Sequence, residues 1–241
     1  MNSFKRCALR ASSVALLAAA MGTCLPMNAL ADDIAGSFSI ASNPNGAWSY
    51  GSLSGSTFTP FTVSSPAVGS GFWTTSSGFP VVVGNNTGAT VFYSTWAGPT
   101  DTLILHPDNT GIASDVRWKA PSAGMYSIGG LFEGVDYQGP TTTDVHILLN
   151  GSSLFSDNIS SYLVPSKFTI LKSLSSGDTI DFAVGYGVDG NYFFDSTGLS
   201  GSITKENSSA VPEPSTLFLL GSGLAAISLR RKRKSAGLIS T

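Results

Sequence analysis

Short apolar runs that alternate every second residue, separated by turn-forming residues, make up residues 36–206. Near the end of this region, Ile180, Phe182 and Val184 fall on one face of an extended chain. Asp181 falls on the opposite face. No part of the region repeats its apolar residues with the 3.6-residue period of a helix. The pattern therefore predicts strands throughout and excludes a helical bundle.

The spacing of these runs favours one domain made of two packed sheets. Asn150-Gly151 between apolar runs is typical of a two-residue hairpin. We predict an all-β protein with roughly ten to fourteen strands in a single β-sandwich of jelly-roll-like wiring. Residues 36–110 alternate less regularly, and a separate small domain there is the alternative. No linker-like segment divides them from the rest, so we prefer one domain.

Basic residues are concentrated at the two ends of the chain. Eight of the thirteen lie in two terminal patches that contain no acidic residue: Lys5, Arg6, Arg10, Arg230, Arg231, Lys232, Arg233 and Lys234. The stretch 32–229 holds the other five and all fifteen acidic residues, a formal charge of −10. A nucleic-acid-binding domain presents a basic face, so this composition excludes nucleic acid as a partner.

The first residues have the order of a secretory signal peptide. A basic start is followed by an apolar run at 14–21, and Ala29-Leu30-Ala31 places small residues before Asp32. The apolar run is short for a membrane span. We predict that residues 1–31 are removed and that the mature chain begins near Asp32. An uncleaved membrane anchor is the alternative.

Both cysteines, Cys7 and Cys24, lie within this segment. The mature chain is therefore expected to have no disulfide, no thiolate nucleophile and no cysteine metal ligand. A lipid attached to Cys24 is the alternative, although the preceding Met21-Gly22-Thr23 fits a lipidation motif poorly.

The carboxyl end combines three elements in order. Pro212-Glu213-Pro214 keeps the chain extended, residues 216–229 form an uncharged apolar segment, and five basic residues follow at 230–234. We expect the apolar segment to form one transmembrane helix. By the positive-inside rule, the basic residues stay in the cytoplasm. The body of the protein then lies on the other side of the membrane.

This tripartite end resembles the PEP-CTERM sorting signal of exported bacterial proteins, which is also catalogued as an ice-binding-protein C-terminal domain. The resemblance implies that an exosortase, a membrane cysteine protease-transpeptidase, reads Pro212, Glu213 and Pro214 and cleaves near them. The chain is then the substrate of that enzyme, in bacteria that make extracellular polysaccharide. A plain membrane anchor is the alternative.

These observations predict four segments and a route of export. The segments are a signal peptide at 1–31, an extracytoplasmic β-sandwich at 32–206, a sorting signal at 207–234 and a cytoplasmic tail at 235–241. We expect the protein to be anchored in the inner membrane with its body outside the cytoplasm. The outer surface or the medium is its expected final location.

Aromatic residues in polar surroundings suggest a binding function for the sandwich. The candidates are Trp48, Tyr50, Trp73, Tyr93 and Trp96. Sugar-binding sandwiches stack pyranose rings on exposed aromatic faces, with polar side chains to bind the hydroxyl groups. The alternative is that most of these rings belong to the core.

A group of carboxylates and amides suggests calcium as the one candidate cofactor. Asp178, Asp181, Asp189, Asn191 and Asp195 occur close together in turn-rich sequence, and oxygen ligands from loops suit Ca²⁺. The same residues are ordinary turn formers, and the complete twelve-residue EF-hand pattern is missing. No cofactor at all is the alternative.

Signs of catalysis are few. His106 and His146 are isolated in sequence and show no zinc-binding spacing, and no nucleophile elbow or phosphate-binding loop occurs. Glu133, Asp136 and Asp144 are candidates for a glycosidase carboxylate pair, but spacing alone does not bring them together. We therefore predict a non-catalytic surface or matrix protein associated with extracellular polysaccharide. A carbohydrate-binding module is the first alternative, and a secreted hydrolase is the second.

Overall fold

The computed structural model describes residues 31–207, and every regular element in that range is a β-strand. The strands are β1 (Ala31–Asp33), β2 (Trp48–Ser54), β3 (Thr57–Pro60), β4 (Val63–Ser65), β5 (Phe72–Thr74), β6 (Val81–Asn85), β7 (Val91–Tyr93), β8 (Trp96–Gly98), β9 (Thr102–His106), β10 (Ala113–Lys119), β11 (Gly124–Gly134), β12 (Asp144–Leu149), β13 (Ser152–Asn158), β14 (Pro165–Leu174), β15 (Thr179–Val184) and β16 (Thr197–Lys205). The all-β prediction is confirmed. There are more strands than predicted because β1, β4, β5, β7 and β8 have only 3 residues each, too few to show alternation.

Several predicted segments lie outside the described residues. These are the signal peptide up to residue 30, the sorting signal from residue 208, the transmembrane helix and the cytoplasmic tail. Between residues 31 and 207, no helix is suited to crossing a membrane.

The strands form two antiparallel sheets and one separate hairpin. The eight-stranded sheet has the order β14-β11-β16-β9-β6-β5-β4, with β1 paired to β16. The six-stranded sheet has the order β13-β12-β15-β10-β2-β3. Strands from both halves of the chain are neighbours, since β9 pairs with β16 and β2 with β10. Residues 36–110 therefore share both sheets with the rest of the described chain.

The main core fills the space between the two sheets. Val116 of β10 stands opposite Tyr50 of β2 and Phe182 of β15 in the six-stranded sheet, and all three side chains are fully buried. Trp118 reaches the other sheet, where its ring lies edge-on to Tyr126 at 5.2 Å. Burying one large apolar side chain contributes about 1.5–3 kcal/mol, so the many side chains of this core supply a large favourable contribution to folding.

The predicted hairpin at Asn150-Gly151 is confirmed between β12 and β13. Asn150 has φ 49° and Gly151 has φ 81°. A type I′ turn needs positive φ at both central residues, which glycine adopts freely and asparagine tolerates better than most residues. The local sequence is therefore sufficient to specify this turn.

Candidate functional site

The hairpin of β7 and β8 lies over the outer face of the eight-stranded sheet. Side chains alternate along β6, so Val82 joins the main core while Val83 points outward. The outward residues pack against the hairpin in a second group, which we call the outer cluster: Val83, Trp96, Ile104 and Val135. This cluster is small and has solvent on one side.

Backbone hydrogen bonds hold the tip of this hairpin in place. The N–H of Ala97 donates to the carbonyl of Val135 at 2.9 Å, and the N–H of Tyr137 donates to the carbonyl of Thr95 at 3.0 Å. The hairpin is thereby joined to the segment that follows β11. Its aromatic side chains are presented on a fixed support.

A cleft of about 340 Å³ opens between the hairpin tip, the connection from β5 to β6, and the outward side chains of β6 and β9. Two rings at its edge face solvent, since Tyr93 is 55% exposed and Phe79 is 40% exposed. The Phe79 ring also contacts His106 at 5.0 Å and Tyr192 at 5.8 Å between centroids. We call this the aromatic cleft; its aromatic and polar lining comprises Phe72, Phe79, Tyr93, Ser94, Thr95, Trp96, His106 and Ser196.

A buried carboxylate lies behind two polar residues of the aromatic cleft. The Thr95 hydroxyl donates to Oδ1 of Asp136 at 2.5 Å, and the Ser196 backbone N–H donates to Oδ2 at 2.6 Å. Asp136 is fully buried. Through these two hydrogen bonds, Asp136 connects the hairpin tip to the residue that precedes β16.

His106 contributes an uncharged polar group to the cleft. Its Nδ1 lies 2.8 Å from the carbonyl oxygen of Pro107, so Nδ1 carries the hydrogen and Nε2 is left as an acceptor. Burial lowers the pKa of His106, which keeps the imidazole neutral at pH 7. Its position places it in the cleft wall.

Asp195 is a second buried carboxyl close to the cleft. The backbone N–H and hydroxyl of Thr142 donate to its Oδ1 at 2.9 and 3.1 Å, while Oδ2 is buried without a partner. Burial raises the pKa of Asp195 to about 7, and the charges of Asp189 and Asp136 add to this effect. This carboxyl therefore changes its charge near neutral pH.

The aromatic residues chosen from sequence as sugar platforms are buried. Trp48 is 2% exposed, Tyr50 0%, Trp73 7% and Trp96 8%. Trp48 and Tyr50 lie in the main core, and the Trp73 indole N–H donates to the carbonyl of Ser39 at 2.8 Å. None of the four has a free ring face on which a sugar could stack. Trp96 still supplies an edge to the cleft wall.

Two other rings are exposed at the cleft, those of Tyr93 and Phe79. Tyr93 was among the sequence candidates, whereas Phe79 and the half-buried Tyr192 that contacts it were missed. Both missed residues stand among turn formers, in Gly78-Phe79-Pro80 and Asp189-Gly190-Asn191-Tyr192. A large aromatic residue inside a predicted turn has no strand face through which to enter a core. That signal could have identified them.

The five residues proposed as calcium ligands are spread over separate contacts. Asp178 accepts a hydrogen bond from Asn150 at 3.0 Å, and Asp181 is buried against the Arg117 guanidinium at 2.5 Å. Asp189 and Asn191 bond to each other.

Asp195 faces Thr142, as described above. Within residues 31–207, no three His, Cys, Asp or Glu side chains are grouped closely enough to hold a metal ion. The five residues therefore do not meet at one site, although the charge of Asp189 lies close enough to raise the pKa of Asp195.

A second cleft, of about 490 Å³, lies on the outer side of the six-stranded sheet. In its wall, His146 Nε2 lies 2.7 Å from Oδ2 of Asp144, and Oδ1 of Asp144 accepts the N–H of Gly187 at 2.8 Å. The hydrogen bond between His146 and Asp144 lowers the pKa of Asp144. In the described part of the chain, no hydroxyl side chain is hydrogen-bonded to this imidazole.

The three carboxylates considered for glycoside hydrolysis lie in different surroundings. Glu133 is on the outer face of the eight-stranded sheet, and burial raises its pKa. Asp136 is buried with both oxygens hydrogen-bonded, and Asp144 lies in the other sheet beside His146. The arrangement does not place two of them across one cleft.

Comparison with solved structures finds β proteins of low similarity. The CBM51 module from Clostridium perfringens GH95 in complex with methyl-galactose has 12% identity and a TM-score of 0.36, covering 64% of this chain and 99% of that one. A family 35 carbohydrate-binding module from Clostridium thermocellum has 16% identity and a TM-score of 0.30, covering 51% and 88%. Rabbit GITRL has 16% identity and a TM-score of 0.27, covering 37% and 70%.

A search of the curated proteins gives no match. The model of one family does match, at the carboxyl end. It confirms the prediction made from Pro212, Glu213 and Pro214, and it implies an exported protein that an exosortase sorts through this end. The chain carries the PEP-CTERM protein-sorting motif, at residues 210–233.

Proposed function

We propose that this chain is a non-catalytic surface or matrix protein, exported, held by its carboxyl end and then processed by an exosortase. The observation that carries this proposal is the PEP-CTERM motif at residues 210–233. The acidic sandwich is the part delivered beyond the inner membrane, and its destination is the outer surface or the medium. There it associates with extracellular polysaccharide.

Expression with and without the cognate exosortase tests the sorting step. The full chain carries a tag after Thr241, and the tag is expected to be lost only when the enzyme is present. Exchanging Pro212 and Pro214 together for alanine should retain the tag, whereas Ser215→Ala beside the motif should behave as the wild type. Equal retention in both hosts would contradict processing.

Carbohydrate binding is the second candidate function, and the exposed rings of the aromatic cleft favour it. Tyr93 and Phe79 offer apolar faces, while Thr95, Ser196 and His106 offer hydroxyl groups or ring nitrogens to a ligand with hydroxyls. We infer a jelly-roll-like wiring beneath this site, since consecutive strands such as β9, β10 and β11 cross from one sheet to the other.

A polysaccharide binding screen with Tyr93→Ala tests this second function. The loss of a stacking face should weaken binding about tenfold, the equivalent of ~1.4 kcal/mol. Phe92→Ala is the matched control, because Phe92 precedes Tyr93 on the same strand, is 72% exposed and does not line the cleft. Equal losses in both variants would contradict a site at the cleft.

The hydrolase alternative has a direct test. Incubating the full chain with each polysaccharide that it retains and measuring new reducing ends should show no increase with time. An increase that Asp136→Asn abolishes would replace the binding function by a catalytic one.

A further inference from the structure

The charges around the aromatic cleft are all negative. Asp136 lies directly behind Thr95 and Ser196, with hydrogen bonds of 2.5 and 2.6 Å. Asp195 immediately precedes Ser196 in the chain, and Asp108 lies in the turn that follows His106. No lysine or arginine lines the cleft.

Glu133 extends this negative field along the outer face of the eight-stranded sheet. It stands opposite Gly198, and Gly198 stands opposite Ile104 in the cleft wall. Neighbouring strands are about 4.8 Å apart, so Glu133 is roughly 10 Å from Ile104. Gly198 has no side chain, so no lysine or arginine lies between Glu133 and Ile104 across these three strands.

The basic residues of the described chain lie elsewhere. Lys167 is on edge strand β14, three strands from β9, or roughly 14 Å away, which exceeds the Debye length of ~10 Å at 0.1 M salt. It pairs with Leu131, two residues before Glu133 on the same face of β11, so it offsets part of the charge of Glu133 but not the charges of Asp136 and Asp195. Arg117 is paired with Asp181 in the six-stranded sheet. Lys172 and Lys205 both pair with Tyr126 near the start of β11, whereas Glu133 is near the end of that strand. Lys119 is on β10 in the six-stranded sheet.

We propose that the aromatic cleft accepts uncharged glycans and rejects those that carry uronate or sulfate groups. This inference rests on the carbohydrate-binding function proposed above. A neutral sugar meets ring faces, hydroxyls and a neutral imidazole. An anionic sugar meets the same groups together with the field of Asp136 and Asp195, and no lysine or arginine lines the cleft to compensate for it.

Affinity electrophoresis of the full chain in mild detergent tests this selection at pH 8. The neutral polysaccharides are galactan, xylan, mannan and dextran, and the acidic ones are polygalacturonate, alginate and carrageenan. We expect retardation by at least one neutral polymer and at least tenfold weaker retardation by every acidic one in low salt. At 0.5 M salt the difference should narrow, because screening removes repulsion and leaves stacking.

Two variants of residues beside the same strand localise the effect. Glu133→Gln should increase retardation by acidic polymers about twofold, because Lys167 already offsets part of this charge. Glu206→Gln should not, because Glu206 follows the far end of β16, whereas Glu133 pairs near its start. Retardation by acidic polymers equal to that by neutral ones in low salt would overturn the selection alone. Retardation by no polymer would overturn the carbohydrate function itself, and with it this inference.

Discussion

The main core and the outer cluster are built from the same kinds of side chain but have different surroundings. Trp118 in the main core is enclosed by both sheets and has no exposed surface. Trp96 in the outer cluster is covered by one hairpin and retains an edge in the aromatic cleft. A second, thinner apolar layer thus holds aromatic rings in place while leaving neighbours such as Tyr93 open to a ligand.

The largest expected effect comes from the main core. Trp118→Ala should lower the free energy of unfolding by about 3–5 kcal/mol, because it leaves a cavity between two sheets that cannot collapse. It also removes the hydrogen bond from the indole N–H to Asp32 at 2.9 Å. Urea titration measures the change. A loss below about 1 kcal/mol would show that the two apolar layers are not as different as their burial indicates.

A smaller loss is expected from the outer cluster. Trp96→Ala should cost about 2 kcal/mol, since the hairpin can settle onto Val83 and Ile104 and fill part of the space. Glycan retention should nevertheless decrease as strongly as for Tyr93→Ala, because the cleft wall moves. Equal destabilisation by Trp96→Ala and Trp118→Ala in urea titrations would contradict the distinction between the layers.

The buried carboxyl group of Asp195, close to the aromatic cleft, should make stability depend on pH. Burial raises the pKa of Asp195 to about 7, whereas the pKa of an aspartate in the unfolded chain is ~3.9. The folded state therefore keeps a proton that the unfolded state releases, and the contribution of Asp195 to stability falls as pH rises from about 4 to 7. Asp195→Asn should gain stability relative to the wild type across that range, as measured by thermal melting at several pH values. A difference independent of pH would contradict the shifted pKa.

Asp178, on an exposed turn, provides the comparison for this measurement. The hydrogen bond from Asn150 lowers its pKa, so its contribution is present above pH ~4 and is lost as pH falls below that value. Asp178→Asn should therefore lose stability relative to the wild type at neutral pH, the opposite sign to Asp195→Asn. The two variants together separate burial from hydrogen bonding as causes.

The smallest effect concerns calcium. The carboxylates of Asp178, Asp181, Asp189 and Asp195 have separate partners, so millimolar calcium and a chelator should give the same melting temperature. A calcium-dependent increase that Asp189→Asn abolishes would restore the calcium site predicted from sequence and would show that the loops rearrange around the ion.

Much of the fold could be predicted because its signals are local. The alternation of Ile180, Phe182 and Val184 follows from the two-residue repeat of an extended chain, and the turn at Asn150-Gly151 follows from the φ values that these residues tolerate. The sorting motif could be identified for the same reason, since Pro212-Glu213-Pro214 and the segments after it are contiguous. Three-residue strands such as β7 and β8 carry too little pattern to be recognised.

The candidate site was less predictable because exposure is not a local property. Trp73 and Tyr93 both have polar neighbours in the sequence. In the fold, Trp73 is buried and its indole N–H donates to the carbonyl of Ser39, whereas Tyr93 is exposed at a hairpin tip. Likewise, Asp181 and Asp195 are close in sequence, but Asp181 is on β15 in the six-stranded sheet and Asp195 precedes β16 of the eight-stranded sheet.

The amino-acid sequence by itself determined which faces of the strands are apolar, where the hairpin at Asn150 turns, and that the chain ends in a sorting signal. Each of these depends on residues within a few positions of one another. Only the tertiary structure decided which rings remain exposed and which charges surround them. Those properties depend on what packs across from a residue, and in this fold the strands that pack together come from distant parts of the chain.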